Sequence, residues 1–225
     1  MPVSSSIVSD ADRQQIALAI TAAEQKTSAE ICPAVAVASG RYDRAEDILG
    51  FWLALLTMAI LWFVWPPLAP ASDSWHETSP TLHLLVYLVA MVVAFIAGAV
   101  LGSYFKPIRS LFTPRREMTA EVLLRASSLF FDRRLHRTAG RTGILVFASL
   151  YERQAVILAD DKVVSAIGQA TLDQWCQEFT ASLRTASLQT AFCQMIDKIG
   201  SRLAEPLPRT ADDNNEISDA LVVIE

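Results

Sequence analysis

The sequence predicts an α/β (α+β) protein, a small mixed sheet flanked by helices, interrupted by a two-helix transmembrane hairpin. Three observations predict it. Residues 48–66 and 82–105 contain no Asp, Glu, Lys or Arg. The segments on either side alternate helical apolar periodicity with short, compact apolar runs, the mark of helices mixed with strands. The composition, 52% hydrophobic and 19% charged, departs from a soluble average in the direction expected when part of a chain sits in lipid.

Residues 10–26 carry Ile16, Ile20 and Ala23 at helical spacing behind acidic Asp10 and Asp12, so an amphipathic helix is expected there. In residues 30–38, larger Ile31, Val35 and Val37 interleave with small Cys32, Ala34, Ala36 and Ala38. That is the composition of a strand covered on both faces.

The first span, 48–66, reaches roughly 28 Å as a helix, about the hydrocarbon thickness of a bilayer. Its Trp52, Trp62 and Trp65 suit the headgroup boundary. The second, 82–105, is about 36 Å long and would tilt. Gly98 and Gly102 form a small-residue stripe that lets another helix approach closely.

After the hairpin, Thr113-Pro114 reads as an N-cap followed by the first helical residue. A helix over 115–137 should bury Met118, Val122, Leu129 and Phe130 and turn its arginines outward. Gly140 and Gly143 end it. Residues 144–149 and 154–159 are strands whose short link favours an antiparallel pair. Two helices follow, one with Leu172, Trp175, Cys176, Phe179 and Leu183 on a single face, the other with Leu188, Phe192, Met195, Ile196, Ile199 and Leu203. Pro206 and Pro208 stop the second, and 220–224 offers a last strand. The chain therefore divides into 1–47, the hairpin 48–105 with a short loop 67–81, and 106–225, which completes the soluble domain begun by 1–47.

Flanking charge sets orientation. The loop holds Asp73, His76 and Glu77 but no lysine or arginine, whereas Arg41 and Arg44 precede the first span and Lys106, Arg109, Arg115 and Arg116 follow the second. By the positive-inside rule both soluble pieces and both termini face the cytoplasm and the short loop lies outside. The polar start, Met1-Pro-Val-Ser-Ser-Ser, lacks the pattern of a cleaved signal peptide. A net charge of −5 argues against a nucleic-acid partner. Three widely separated cysteines, Cys32, Cys176 and Cys193, fit a reducing compartment and give neither a disulfide framework nor a zinc pattern.

Three stretches carry a family resemblance. Ala22-Ala-Glu-Gln-Lys-Thr-Ser-Ala-Glu-Ile31 resembles the "E-x-x-T-x-x-E-I" entry to the first strand of TPM domains, and 142–160 is also similar to members of that family. The close of the chain, 208–219, is also similar to shorter bacterial members. The TPM family takes in thylakoid photosystem-repair phosphatases and many bacterial membrane proteins. The resemblance implies a central sheet flanked by helices. It also implies one of two activities: weak, metal-associated acid phosphatase chemistry, or partner binding. Where many members carry a glycine-rich turn after the strand, this chain has Asp160-Asp161-Lys162.

Asp160 and Asp161 end a strand and precede a helix, where adjacent carboxylates could hold Ca2+ or Mg2+ through oxygen. Glu30 and Glu152 are the candidates to complete such a site. The competing reading makes one aspartate a helix cap and leaves the other in solvent. Asp212-Asp-Asn-Asn-Glu216 lacks the glycine of a calcium loop, since Ile217 stands in its place. Phosphatase nucleophile patterns and a glycine-rich phosphate loop are missing. The arginines of 115–141 suit either an anionic lipid surface or an ordinary solvent face.

Two functions remain open on sequence grounds. One is a non-catalytic membrane-anchored module that binds or assembles another membrane protein, or self-associates through Gly98 and Gly102. The other is a weak divalent-metal phosphatase centred on Asp160 and Asp161. A transporter is disfavoured, because the spans hold no intramembrane charge.

Overall fold

A computed structural model describes residues 8–40, 44–65, 80–104, 114–210 and 215–224. The chain forms two compact units, residues 1–40 with 118–225, and residues 41–117.

The first unit is built on a four-stranded mixed sheet. Its elements are α1 (Asp10–Glu24), β1 (Glu30–Ala36), α4 (Arg115–Asp132, which enters the unit at Met118), β2 (Gly143–Ser149), β3 (Gln154–Ala159), α5 (Asp161–Ile167), α6 (Gln169–Thr185), α7 (Leu188–Leu203) and β4 (Val222–Ile224). The strand order is β3-β2-β1-β4. β1 runs parallel to both β2 and β4, and β2 pairs antiparallel with β3, as the short 150–153 link requires.

The alternation read in β1 is used on both faces. Ile31 and Val35 join Ile144, Val146 and Ala148 in a core with Ile16, Ile20, Trp175, Phe179, Phe192, Ile196 and Ile199 from α1, α6 and α7. Cys32, Ala34 and Ala36 join Leu145 and Phe147 beneath Val122, Ala126, Leu129 and Phe130 of α4.

Local signals explain the ends. Ser9 caps α1 reciprocally with Asp12: Ser9 Oγ accepts from the Asp12 amide at 3.1 Å, and Asp12 Oδ2 accepts from the Ser9 amide at 3.3 Å, a capping box. Three expectations need correction. The helix expected over 115–137 ends at Asp132, because Arg134 takes φ +57°, a left-handed conformation no helix can include. The chain then makes a single 3-10 turn, Leu135–Arg137, that buries Leu135 completely. Gly143 lies directly under that turn; a Cβ there would stand 2.2 Å from the Leu135 carbonyl oxygen. An extra short helix, α5, precedes the two expected ones, and Gly168 at φ +78° separates it from α6. The first strand stops at Ala36, although the Val37 amide still donates to Ile224 O at 3.0 Å.

The second unit contains α2 (Arg44–Val64) and α3 (Pro80–Tyr104). Within them Glu46–Val64 and Thr81–Tyr104 are long and apolar enough to cross a membrane, and only 11% and 17% of their most apolar stretches are buried. These match the expected spans to within two residues at each end. Pro66, Phe105 and most of the 67–81 loop lie outside the described residues.

The two helices pack through glycine. A Cβ on Gly98 would meet Gly50 Cα at 2.7 Å, and one on Gly102 would meet Glu46 Cα at 3.0 Å. The Gly98/Gly102 face is thus occupied by α2 inside the hairpin, so self-association through it would require the hairpin to open. At the loop end, the Tyr87 hydroxyl lies against the carbonyls of Leu61 (3.1 Å), which also accepts from the Trp65 amide, and of Trp65, just past the last residue of α2. The Trp65 ring packs on buried His83 with centroids 4.3 Å apart.

Candidate functional site

Sheet geometry decides how far the four expected metal ligands can converge. Glu30 begins β1 and sits opposite Gly143 of β2. Asp160 follows β3 and donates its amide to Gly143 O at 2.9 Å. Glu30 and Asp160 therefore flank Gly143 at one end of the sheet, two strands apart, or roughly 10 Å by strand spacing. Asp161 points elsewhere: it is exposed and pairs with Arg141 at 3.4 Å, a surface ion pair of small energetic consequence.

Glu152 is at the opposite end of the sheet, in the turn after β2. It cannot share an ion with the others. Its buried carboxylate instead accepts from the amides of Ser39 (2.8 Å) and Gly40 (3.3 Å) and from the Ser149 hydroxyl. This pins the loop that leaves β1. Asp160 is the N-cap of α5, its Oδ1 accepting from the Asp161 amide at 2.7 Å, so the capping alternative describes one of its two oxygens. The other, Oδ2, is buried with no hydrogen-bond partner among the described residues. Among the described residues no three His, Cys, Asp or Glu side chains are grouped so as to hold a metal ion.

The structure assembles a different polar site around Glu30. Thr21, Glu24, Thr27, Ala29, Glu30, Arg209, Asn215 and Asp219 line a cavity of about 70 Å³, room for about two waters at ~30 Å³ each. Glu24 comes from the end of α1 and accepts from the Ile31 amide at 3.1 Å. The segment after α7 closes the cavity. There the Glu216 amide donates to Glu30 Oε1 at 3.3 Å, the Thr21 hydroxyl donates to Asp219 Oδ2 at 2.7 Å, and the Asn215 amide group donates to Asp219 Oδ1.

Burial, reinforced by the charges of Glu30 and Asp219, pushes the Glu24 carboxyl up to about 8, against the lowering effect of the Ile31 amide and Arg209. At neutral pH the site thus holds a proton. A proton on Glu24 and a cation at Arg209 both weaken the cavity as a divalent-metal site, since hard cations need ionised oxygens.

Glu24, Arg209 and Asp219 were not expected as site residues. A signal for the first was present: Glu24, Thr27 and Glu30 are the spaced residues of the E-x-x-T-x-x-E run, and all three line the cavity. Arg209 and Asp219 have no local signature, because residues there meet the start of the chain only across long separations, 198 residues for Asp219 with Thr21 and 186 for Glu216 with Glu30.

The cysteines sit in the core. Burial raises the Cys32 thiol to about 11 and also raises Cys176, whose sulfur accepts from the Ile157 amide at 3.1 Å. Neither is poised as a thiolate nucleophile.

No protein-family model and no curated protein matches the chain. Among solved structures it is similar to the NMR structure of the BA42 protein from the psychrophilic bacterium Bizionia argentinensis. The identity is 14%, 99% of each chain is covered, and the TM-score is 0.56. At that identity the likeness shows the fold alone.

Proposed function

We propose that this protein is a membrane-anchored, TPM-like cytoplasmic domain that serves as a non-catalytic binding or assembly module for membrane protein partners. One observation supports this most. Two apolar helices with outward-facing Phe51, Trp52, Leu56, Leu84, Val92 and Val93 are inserted into a soluble unit that closes its own two cores. Lipid is the solvent those side chains fit. On this reading the hairpin crosses a bacterial inner membrane twice, with 67–81 outside and both termini in the cytoplasm. The test is chemical crosslinking in intact membranes followed by affinity capture of the full chain from mild detergent. Repeated recovery of the same membrane protein in near-equal amount is expected, and recovery of none across replicates would overturn the assembly role.

A second reading, a weak acid phosphatase using Ca2+ or Mg2+ near Asp160 and Asp161, is favoured by Asp160 Oδ2, which is buried without a hydrogen-bond partner among the described residues. Its test is phosphate release by the full chain with and without each cation. Release that needs the cation and vanishes in Asp160→Asn would establish it, and release unchanged by that substitution would end it.

A further inference from the structure

The two faces of the sheet are covered unequally. α1, α5, α6 and α7 pack on one face, whereas among the described residues α4 is the helix that covers the other. Such a helix should bury one side and expose polar residues on the opposite one. α4 departs from this. It buries Met118, Val122, Ala126, Leu129 and Phe130, yet Leu123, Leu124 and Phe131 are 48%, 69% and 60% exposed. Leu124 and Phe131 lie two turns apart on one line, with Leu123 beside them. Exposed Arg116 and Arg125 flank this strip at helical spacing and exposed Arg134 follows the helix end, and residues 115–141 hold seven arginines against three acidic side chains.

We propose that the outward strip of α4, Leu123, Leu124 and Phe131 with its flanking arginines, docks on the anionic cytoplasmic surface of the bilayer. The proposal rests on reading α2 and α3 as membrane spans. Chain length then confines the helix: ten residues separate Tyr104 from Arg115, a tether of at most about 35 Å. Charge chooses the occupant. Arginines are drawn to an anionic leaflet, and leucine with phenylalanine flanked by arginine is the composition of a helix lying in the interface.

The experiment places the photocrosslinker p-benzoylphenylalanine at Leu124, at Phe131, or at Leu18, a 70% exposed residue of α1 that serves as control. The full chain is reconstituted in nanodiscs of phosphatidylcholine with or without one-quarter phosphatidylglycerol. Lipid capture at 124 and 131 at least fivefold above that at 18, falling when the anionic lipid is omitted, is the expected result. Double substitution Leu123→Ser/Leu124→Ser should lower capture at 131 by a similar factor. Capture no greater than at Leu18, or capture of a second chain in place of lipid, overturns the docking. A chain that enters the disc but captures no lipid defeats this inference alone. One that never enters the disc defeats the membrane reading as well.

Discussion

Glu24 is the residue whose chemistry departs furthest from its ordinary state. A carboxyl raised from 4.5 to about 8 keeps its proton in the folded chain over a range where the unfolded chain has lost it. Stability is then insensitive to this group below about pH 4.5, falls as pH rises to 8, and levels off above. Thermal unfolding of the detergent-solubilised chain should show that decline, and Glu24→Gln should flatten it; a decline of the same size in the variant would mean another group is responsible. Glu152 makes the contrasting case, a buried carboxylate whose amide partners are supplied by the loop after β1. Removing it leaves two N–H groups without an acceptor, so Glu152→Ala should cost about 2–3 kcal/mol in a denaturant titration while leaving any cation-dependent phosphate release per folded molecule unchanged. Asp160→Ala should cost about 1 kcal/mol through loss of the α5 cap, and Asp160→Asn should recover most of it. A loss under Asn as large as under Ala would mean that the charge, rather than the cap, matters there.

Among the elements, what could be read beforehand follows from which forces are local. The strands β1, β2 and β3 were legible because apolar runs with small residues fit a sheet covered on both faces, and α6 and α7 because Leu172, Trp175 and Phe179, then Phe192, Ile196 and Ile199, repeat at helical spacing. The stop at Arg134 was not legible. Nothing in Phe131-Asp-Arg-Arg-Leu135 announces a left-handed residue; burial of Leu135 against the sheet requires it. The carboxylate cavity was not read from the sequence: Glu30 alone was a candidate, for a site with Asp160 and Asp161, although Glu24 and Thr27 stand beside it in the E-x-x-T-x-x-E run, and the remaining wall comes from residues distant in sequence. Gly98 was read as a surface for another helix, and that helix proves to be α2 of the same hairpin. With Gly50 Cα 2.7 Å from the position of a Cβ, Gly98→Leu must force the pair apart, at about 1–3 kcal/mol by analogy with overpacked cores. A dodecyl maltoside to SDS titration that follows the α2–α3 distance by paired labels should show the variant separating at lower SDS fraction. An unchanged midpoint would mean that the helices are held at their loop end, by Tyr87 and Trp65.

At the scale of the whole molecule, the question is whether the sheet-bearing unit needs the hairpin that interrupts it. The connection between parallel strands β1 and β2 normally needs one covering helix, and α4 is that helix. The 74 residues from Arg41 to Pro114 are therefore an insertion into an otherwise ordinary crossover. Inserting chain into a connection costs little in closure entropy, because the cost grows only with the logarithm of length. The cores offer nothing for the hairpin to complete: Ile31, Val35, Ile144 and Val146 on one face, and Ala34, Leu145 and Phe147 on the other, are 0–1% exposed. Replacing residues 41–114 with a flexible linker of about ten residues should give a chain that is monomeric without detergent and unfolds in one cooperative transition. Its Leu123, Leu124 and Phe131 should still bring it to vesicles containing phosphatidylglycerol, more weakly once the tether is gone and less so in high salt. If the shortened chain instead aggregates or melts without cooperativity, even after Leu123 and Leu124 are changed to serine, then the hairpin is a structural part of the domain, and the division into an anchor and an independent module fails.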